Sequence, residues 1–287
     1  MEHAHEHAAA LTDETFRRAL LACLMLATSA CPIGVFLMLR RMSLAGDSLS
    51  HAILPGAAAA FLLYGAEVIP MTIGGLVAGL VVAVAAGAIS RLTLLREDAA
   101  LAVFYSLSLA IGALMLGGSG HDEELVHFLF GDVTALTDSG LRLIALTSAA
   151  TLLLLAVFWR ALVADSFDPL FLRSVSKWGA PAHFIFLALL VLNLIASLQA
   201  LGALLSVGLM MLPAAAARFW TSRIEIMAVI AASIGMASSA LGLYAAHEFD
   251  LSPAPAIILA AGLAFLVSAL FSPRGLVGLR TRTRHRA

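Results

Sequence analysis

An all-α, polytopic bundle of transmembrane helices is the fold class this sequence predicts, on three observations. Of its 287 residues, 61% are hydrophobic and 12% charged, whereas soluble domains hold about 45–50% apolar and about 25% charged residues. Mean hydropathy is +0.99. Apolar stretches repeatedly reach the roughly 20 residues that a helix needs to cross a hydrocarbon core.

The opening "MEHAHEHAAALTDET" sets His3, His5 and His7 among Glu2 and Glu6, and reads as a flexible, dispensable tail over 1–15. It lacks a basic n-region and no small-residue cleavage site follows, so 17–39 is expected to be a retained span. Cys23 and Cys31 within that span have neither redox nor zinc spacing and read as small buried hydrophobes. Span 49–65 begins among Asp47, Ser48 and Ser50 and contains Pro55–Gly56. Span 69–90 carries Gly74, Gly75, Gly79 and Gly87, small residues that let helix backbones approach closely. Spans 99–118 and 139–159 follow. The apolar run 182–217 is too long for one crossing and must turn near Gln199–Gly202, dividing into 182–199 and 201–217. Asn193 and Gln199 suit hydrogen bonds between helices. Spans 224–246 and 254–272 bring the count to nine, with 16–273 as the membrane domain. The basic end 274–287 fits attraction to anionic lipid headgroups better than nucleic-acid binding.

Basic residues mark the cytoplasmic side of such a bundle. With nine spans and the C-terminus inside, all 17 Lys and Arg residues except Arg17, Arg18 and Arg142 fall inside. The outer segments collect Glu67, Asp122, Glu123, Glu124, Asp132, Asp138, Glu248 and Asp250. The Arg17–Arg18 pair favours the alternative, an inside N-terminus and eight spans.

A phosphate-cradling loop needs glycine before its lysine and Ser or Thr after it. The one lysine, Lys177, stands between Ser176 and Trp178. Nor is there a nucleophile elbow, a paired-histidine zinc helix or a dinucleotide fingerprint. The chain is expected not to be an enzyme, and any ATP that drives it would be hydrolysed by a separate subunit.

"RRMSLAGDSLSHAILPG", residues 40–56, puts Asp47 and His51 four apart in an apolar tract. On a helix they share one face, one turn apart. A carboxylate at membrane depth costs about 2.5–3.5 kcal/mol on insertion scales and usually faces a protein interior or a water-filled cavity. Carboxylate plus imidazole suits a borderline divalent ion, and two ligands hold it loosely enough to release it. The bland alternative is that Asp47 caps its helix and His51 bonds to that carboxylate.

This stretch closely resembles the signature of the permease subunits of bacterial zinc/manganese/iron ABC importers. "HFLFGDVTAL" at 127–136, "FDPLFLRSVSKWGAP" at 167–181, "LLSVGLMMLPAAAARFW" at 204–220 and "GLYAAHEFDLSPAPAIILAAGLAFLVSALFSP" at 242–273 resemble further parts of the same family. The resemblance implies a homodimer of permeases in the bacterial inner membrane, each bound to a cytoplasmic ATP-binding subunit and served by an extracytoplasmic metal-binding protein. It implies that Asp47 and His51 line the metal pathway, and that Asp168, Phe171, Arg173 and Lys177 belong to the segment that couples to the ATPase. No permanent cofactor is expected, only the transported ion: zinc first, on histidine content near the outer face, with manganese or iron also accommodated. His121, Asp122, Glu123, Glu124, His127 and His247 are outer-face candidates for concentrating cations. His183 and His285 carry no motif. A gradient-driven secondary transporter is the competing function, and would show inverted repeats with broken helices.

Overall fold

The computed structural model describes residues 2–42, 44–65, 67–117, 136–168, 172, 174 and 179–275, except the side chains of 2–13 and a few others within helices. Its described residues form α1 (Glu2–Leu39), α2 (Ala45–Ala52), α3 (Leu54–Tyr64), α4 (Val68–Leu92), α5 (Glu97–Gly117), α6 (Asp138–Phe167), α7 (Gly179–Arg218), α8 (Ile224–Phe249) and α9 (Pro253–Phe271). Seven stretches within them are long and apolar enough to cross a membrane: Glu14–Leu39, Ile69–Ser90, Glu97–Met115, Asp138–Phe167, Pro181–Leu198, Ile224–Phe249 and Pro253–Phe271.

Two expected spans take a different form. The run 49–65 is interrupted at Ile53, between α2, of 8 residues, and α3, of 11, although Ile53 keeps right-handed helical dihedrals (φ −69°, ψ −26°). Pro55 causes the break, because it has no N–H to donate to the carbonyl of His51 one turn earlier. The run 201–217 is a shorter apolar helix, Leu204–Arg218. Within α7 the backbone leaves helical geometry at Gly202, φ 79° and ψ 168°, a region open to glycine. There the chain doubles back. Phe186, before the break, packs its ring on Phe36, and Met210, after it, lies against Gly34 on the same level of α1. The turn expected at 199–202 is therefore present.

The ends of α1 fix its direction in the bundle. Phe16 meets His247 at the end of α8, and Arg18 pairs with Glu14 and with Asp138 at the start of α6. At the other end, Arg40 meets the last turn of α6 and the first turn of α7. Arg274, beyond α9, donates to Ser222 between α7 and α8, on the side to which α7 has returned. The two ends of the bundle's chain thus lie on opposite sides, which requires an odd number of crossings. Glu14 and Asp138 neutralise Arg18, one half of the pair that favours eight.

Helix α1 and the first half of α7 sit at the centre, and their apolar windows are mostly buried, whereas α5 and α9 keep most of their surface outside. Rows of Leu, Val and Ile on α4, α5, α6 and α9 form that outer surface, which suits a lipid solvent. Lipid is as apolar as leucine, so close packing rather than hydrophobic burial joins such helices. A side chain on Gly56 would collide with the Gly74 carbonyl of α4, and one on Gly34 with the Met210 carbonyl. Ser29 donates to Ser148 at 3.1 Å, and Asn193 to Thr151 at 2.6 Å, tying α1 and α7 to α6.

Gly56→Ala is expected to lower the stability of the detergent-solubilised protein by about 1–3 kcal/mol, the usual cost of overpacking. Gly262→Ala, where an added methyl meets nothing within 4 Å, should leave the melting temperature unchanged. Equal effects of the two would contradict the α3–α4 packing.

Candidate metal site

Helix α1 ends in a hydrogen-bonded reversal. Arg41 adopts φ 59°, its N–H bonds to the Met38 carbonyl at 3.2 Å, and the Met42 N–H bonds to the Leu37 carbonyl at 2.9 Å. This is a Schellman turn, with arginine in the left-handed position that glycine usually takes. It throws the chain straight into α2.

Small residues then seat α2 among its neighbours. Gly46 lies against Val207 of α7 and Leu37 of α1, and Ala45, Leu49 and Ala52 are fully buried. The opposite face presents Asp47, whose side chain is 63% exposed, and His51, 23% exposed, with His51 Nε2 at 4.0 Å from Asp47 Oδ1. That gap is too long for a hydrogen bond. It is slightly wider than the roughly 3.4 Å between two ligands of one tetrahedral ion at about 2.0–2.1 Å, so a small side-chain rotation brings both onto a cation. No side chain caps α2, whose N-cap is Leu44; the capping role for Asp47 and the Asp47–His51 hydrogen bond are both absent among the described residues. The edge of the His51 ring packs on Tyr105 of α5, centroids 5.1 Å apart. His51 Nδ1 is buried without a hydrogen-bond partner among the described residues. The ring thus turns Nε2 toward Asp47 and the outside of the chain.

Of the other expected ligands, the described one, His247, does not join this pair. His247 lies against Phe16, whereas α2 packs beside Leu37 near the opposite end of α1. His121, Asp122, Glu123, Glu124 and His127 lie outside the described residues, as do Phe171, Arg173 and Lys177. Asp168 is described: it closes α6 and is exposed. Among the described residues, no three Asp, Glu, His or Cys side chains converge into a metal site. Among the described residues, one chain therefore offers two ligands and an open remainder.

Sequence reasoning missed a second polar constellation. At the cytoplasmic end, Arg40 Nη2 is 2.9 Å from Asp165 Oδ2, with both side chains almost fully buried. Arg40 Nε donates to Ser166 Oγ at 3.2 Å, and its guanidinium lies 4.1 Å from the Phe186 ring centre. Arg40 Nη1 is 3.2 Å from His183 Nδ1, and His183 Nε2 is 2.9 Å from Glu97 Oε1. Arginine only donates, so Nδ1 of His183 accepts and its Nε2–H donates to the Glu97 carboxylate. Burial pushes the Arg40 guanidinium down to about 10, against the pull of Asp165 and Glu97. Asp165, an acid just beyond the expected span 139–159 and in the last turn of α6, was the legible signal.

The chain matches the ABC 3 transport family over residues 12–272. It is 30% identical over 258 residues to the manganese import system permease protein ScaB of Streptococcus gordonii, covering 90% of this chain and 91% of that one. It is also 30% identical over 253 residues to the chelated iron transport system membrane protein YfeC of Yersinia pestis, covering 88% and 85%. The solved structure of PsaBC from Streptococcus pneumoniae in complex with Fab shares its fold at a TM-score of 0.82 and 30% identity, over 95% of this chain and 99% of that one.

Removing one partner of a buried ion pair strands the other. Arg40→Ala is expected to cost about 3–5 kcal/mol of stability on that account, read as a lowered melting temperature in detergent. A surface change such as Arg218→Ala should leave it unmoved. A wild-type melting temperature for Arg40→Ala would show the pair to be hydrated.

Proposed function

Because this multi-pass membrane protein belongs to the ABC 3 transport family, we propose that it is the permease subunit of an ATP-driven importer that carries a divalent transition-metal ion across the bacterial inner membrane. The observation that carries this reading is the Asp47–His51 pair: a largely exposed carboxylate and a part-buried imidazole, one turn apart, on a bundle of apolar helices. Family membership displaces the gradient-driven alternative, which no separate observation favours.

The reaction is movement, and the residues have simple parts in it. A cation that loses water on entering the bundle finds replacement ligands in an Asp47 carboxylate oxygen and His51 Nε2. Two ligands bind weakly, so the ion leaves as readily as it enters. Asp47 is largely exposed on the isolated chain, which leaves room for a second copy. A homodimer about a two-fold axis would set two such pairs face to face and complete a four-ligand station. The ion's identity follows from chemistry and kinship together. Carboxylate and imidazole accept manganese, iron and zinc, and the similar proteins named for a metal carry manganese or iron in their names. Manganese therefore takes first place in this reading, with iron and zinc as competitors.

The energy source would be a separate cytoplasmic ATP-binding subunit, docked on the segment that begins at Asp168 and includes Phe171, Arg173 and Lys177. A metal-binding protein would deliver the ion at the outer face, where the 121–127 histidines and acids fall in sequence.

Manganese uptake tests the reading in cells lacking this chain and complemented with variants. Asp47→Ala and His51→Ala should each lose at least the roughly 10–100-fold that removing even an outer-shell partner costs a metal site, with membrane levels unchanged. Full uptake by both variants would reduce the pair to packing residues.

A further inference from the structure

The polar constellation at the cytoplasmic end has no part in the pathway chemistry, yet its placement gives it one in coupling. Its members come from four helix ends: Arg40 follows α1, Glu97 opens α5, Asp165 and Ser166 lie in the last turn of α6, and His183 in the first turns of α7. Asp165 and His183 bracket the segment read above as the ATPase contact. Arg40 reaches both sides of it, at 2.9 Å to Asp165 and 3.2 Å to His183.

We propose that Arg40 is a positioning residue that clasps the two ends of the ATPase-facing segment and passes their displacement to Asp47 and His51. The inference rests on the transport reading. Two short, stiff connections leave the clasp. One is the Schellman turn, whose bonds from Arg41 and Met42 back to Met38 and Leu37 leave no slack between Arg40 and α2. The other is α5, which carries Glu97 against His183 and, two turns on, Tyr105 against His51. Both connections end on the same imidazole.

The surroundings suit such a device. A cavity of about 770 Å³ lies beside the clasp, lined among others by Arg40, Glu97, Asp165, His183, Thr93 and Phe167, so the helix ends have space to shift. The clasp is itself selective in its bonding. Arg40 satisfies acceptors on α6 and α7 at once, which a lysine's single ammonium cannot reproduce in a planar fork. Separating α6 from α7 breaks one set of contacts and leaves a buried charge unanswered, which makes intermediate positions costly and favours two discrete arrangements.

The test uses the whole complex, permease with its ATP-binding subunit and metal-binding protein, in lipid vesicles, and reads manganese ions taken up per ATP hydrolysed. His183→Leu cuts the link from Arg40 to Glu97; His183→Gln keeps an acceptor for Arg40 and a donor for Glu97. Arg40→Met combined with Asp165→Leu removes both charges of the pair while keeping a packed core. The expected result is that His183→Leu and the double variant lose at least about fivefold in ions per ATP, the lower end of ordinary coupling. ATP hydrolysis and the half-saturating manganese concentration should persist, and His183→Gln should restore the ratio. A wild-type ratio in both His183→Leu and the double variant would overturn the clasp alone. Absence of ATP-driven uptake in wild-type vesicles would overturn the transport reading and the clasp with it.

Discussion

Arg40 carries a positive charge into a place almost closed to water, and the cytoplasmic half of the bundle is arranged around answering it. Moving an ion of this size out of water costs several kcal/mol even after relaxation. Asp165 supplies the opposite charge, Ser166 and the His183 ring supply acceptors, and the Phe186 face lies under the guanidinium. Each of these groups sits on an element that must be in place for the charge to be tolerated. The helix ends of α1, α6 and α7 are thus held together by an electrostatic demand, where apolar contact alone would let them slide in lipid.

Asp47 and His51 present the opposite case. Seven residues beyond Arg40, the chain places a carboxylate and an imidazole and gives the carboxylate no counter-charge among the described residues beyond that imidazole at 4.0 Å. A fold that brings Asp165, Ser166 and His183 to Arg40 could have brought a counter-charge to Asp47. Leaving it open is the structural mark of a group whose partner arrives and departs. Under the transport reading proposed above, the contrast separates the two polar sites: the answered charge would hold the frame, and the unanswered one would face the cargo.

Much of this was legible in the sequence, and the rest was not for identifiable reasons. Span positions follow from apolar run length, which bilayer thickness dictates, and the reversal at Gly202 follows because 36 residues (182 to 217, 217 − 181) exceed one crossing. The Asp47–His51 pair stood out because i, i+4 spacing is local. The interruption at Ile53 is signalled by Pro55–Gly56, although run length alone gives a single span over 49–65. His183 was passed over because its meaning depends on Arg40 and Glu97, 143 and 86 residues away in the chain. No periodicity connects residues that only the bundle brings together. Arg40 itself was counted as a topology marker, and charge counting does not tell a solvated arginine from a buried one.

Pro55 separates the frame from the proposed cargo site. Lacking an N–H, it cannot close the helical bond to the His51 carbonyl, and α2 ends after 8 residues although Ile53 keeps right-handed helical dihedrals (φ −69°, ψ −26°). Beyond it, α3 is locked to α4 through Gly56 and Gly74. Ile53, between the two helices, packs tightly against Gly75 and Gly79 of α4, where an added side chain would collide with it. The same small-residue chemistry therefore fixes both helices: α3 where backbones touch, and α2 through Ala45, Gly46 and Ala52. Under the transport reading proposed above, this packing would hold Asp47 and His51 in one frame with Tyr105 and the Arg40 turn, so that release of an ion would follow movement of the whole frame.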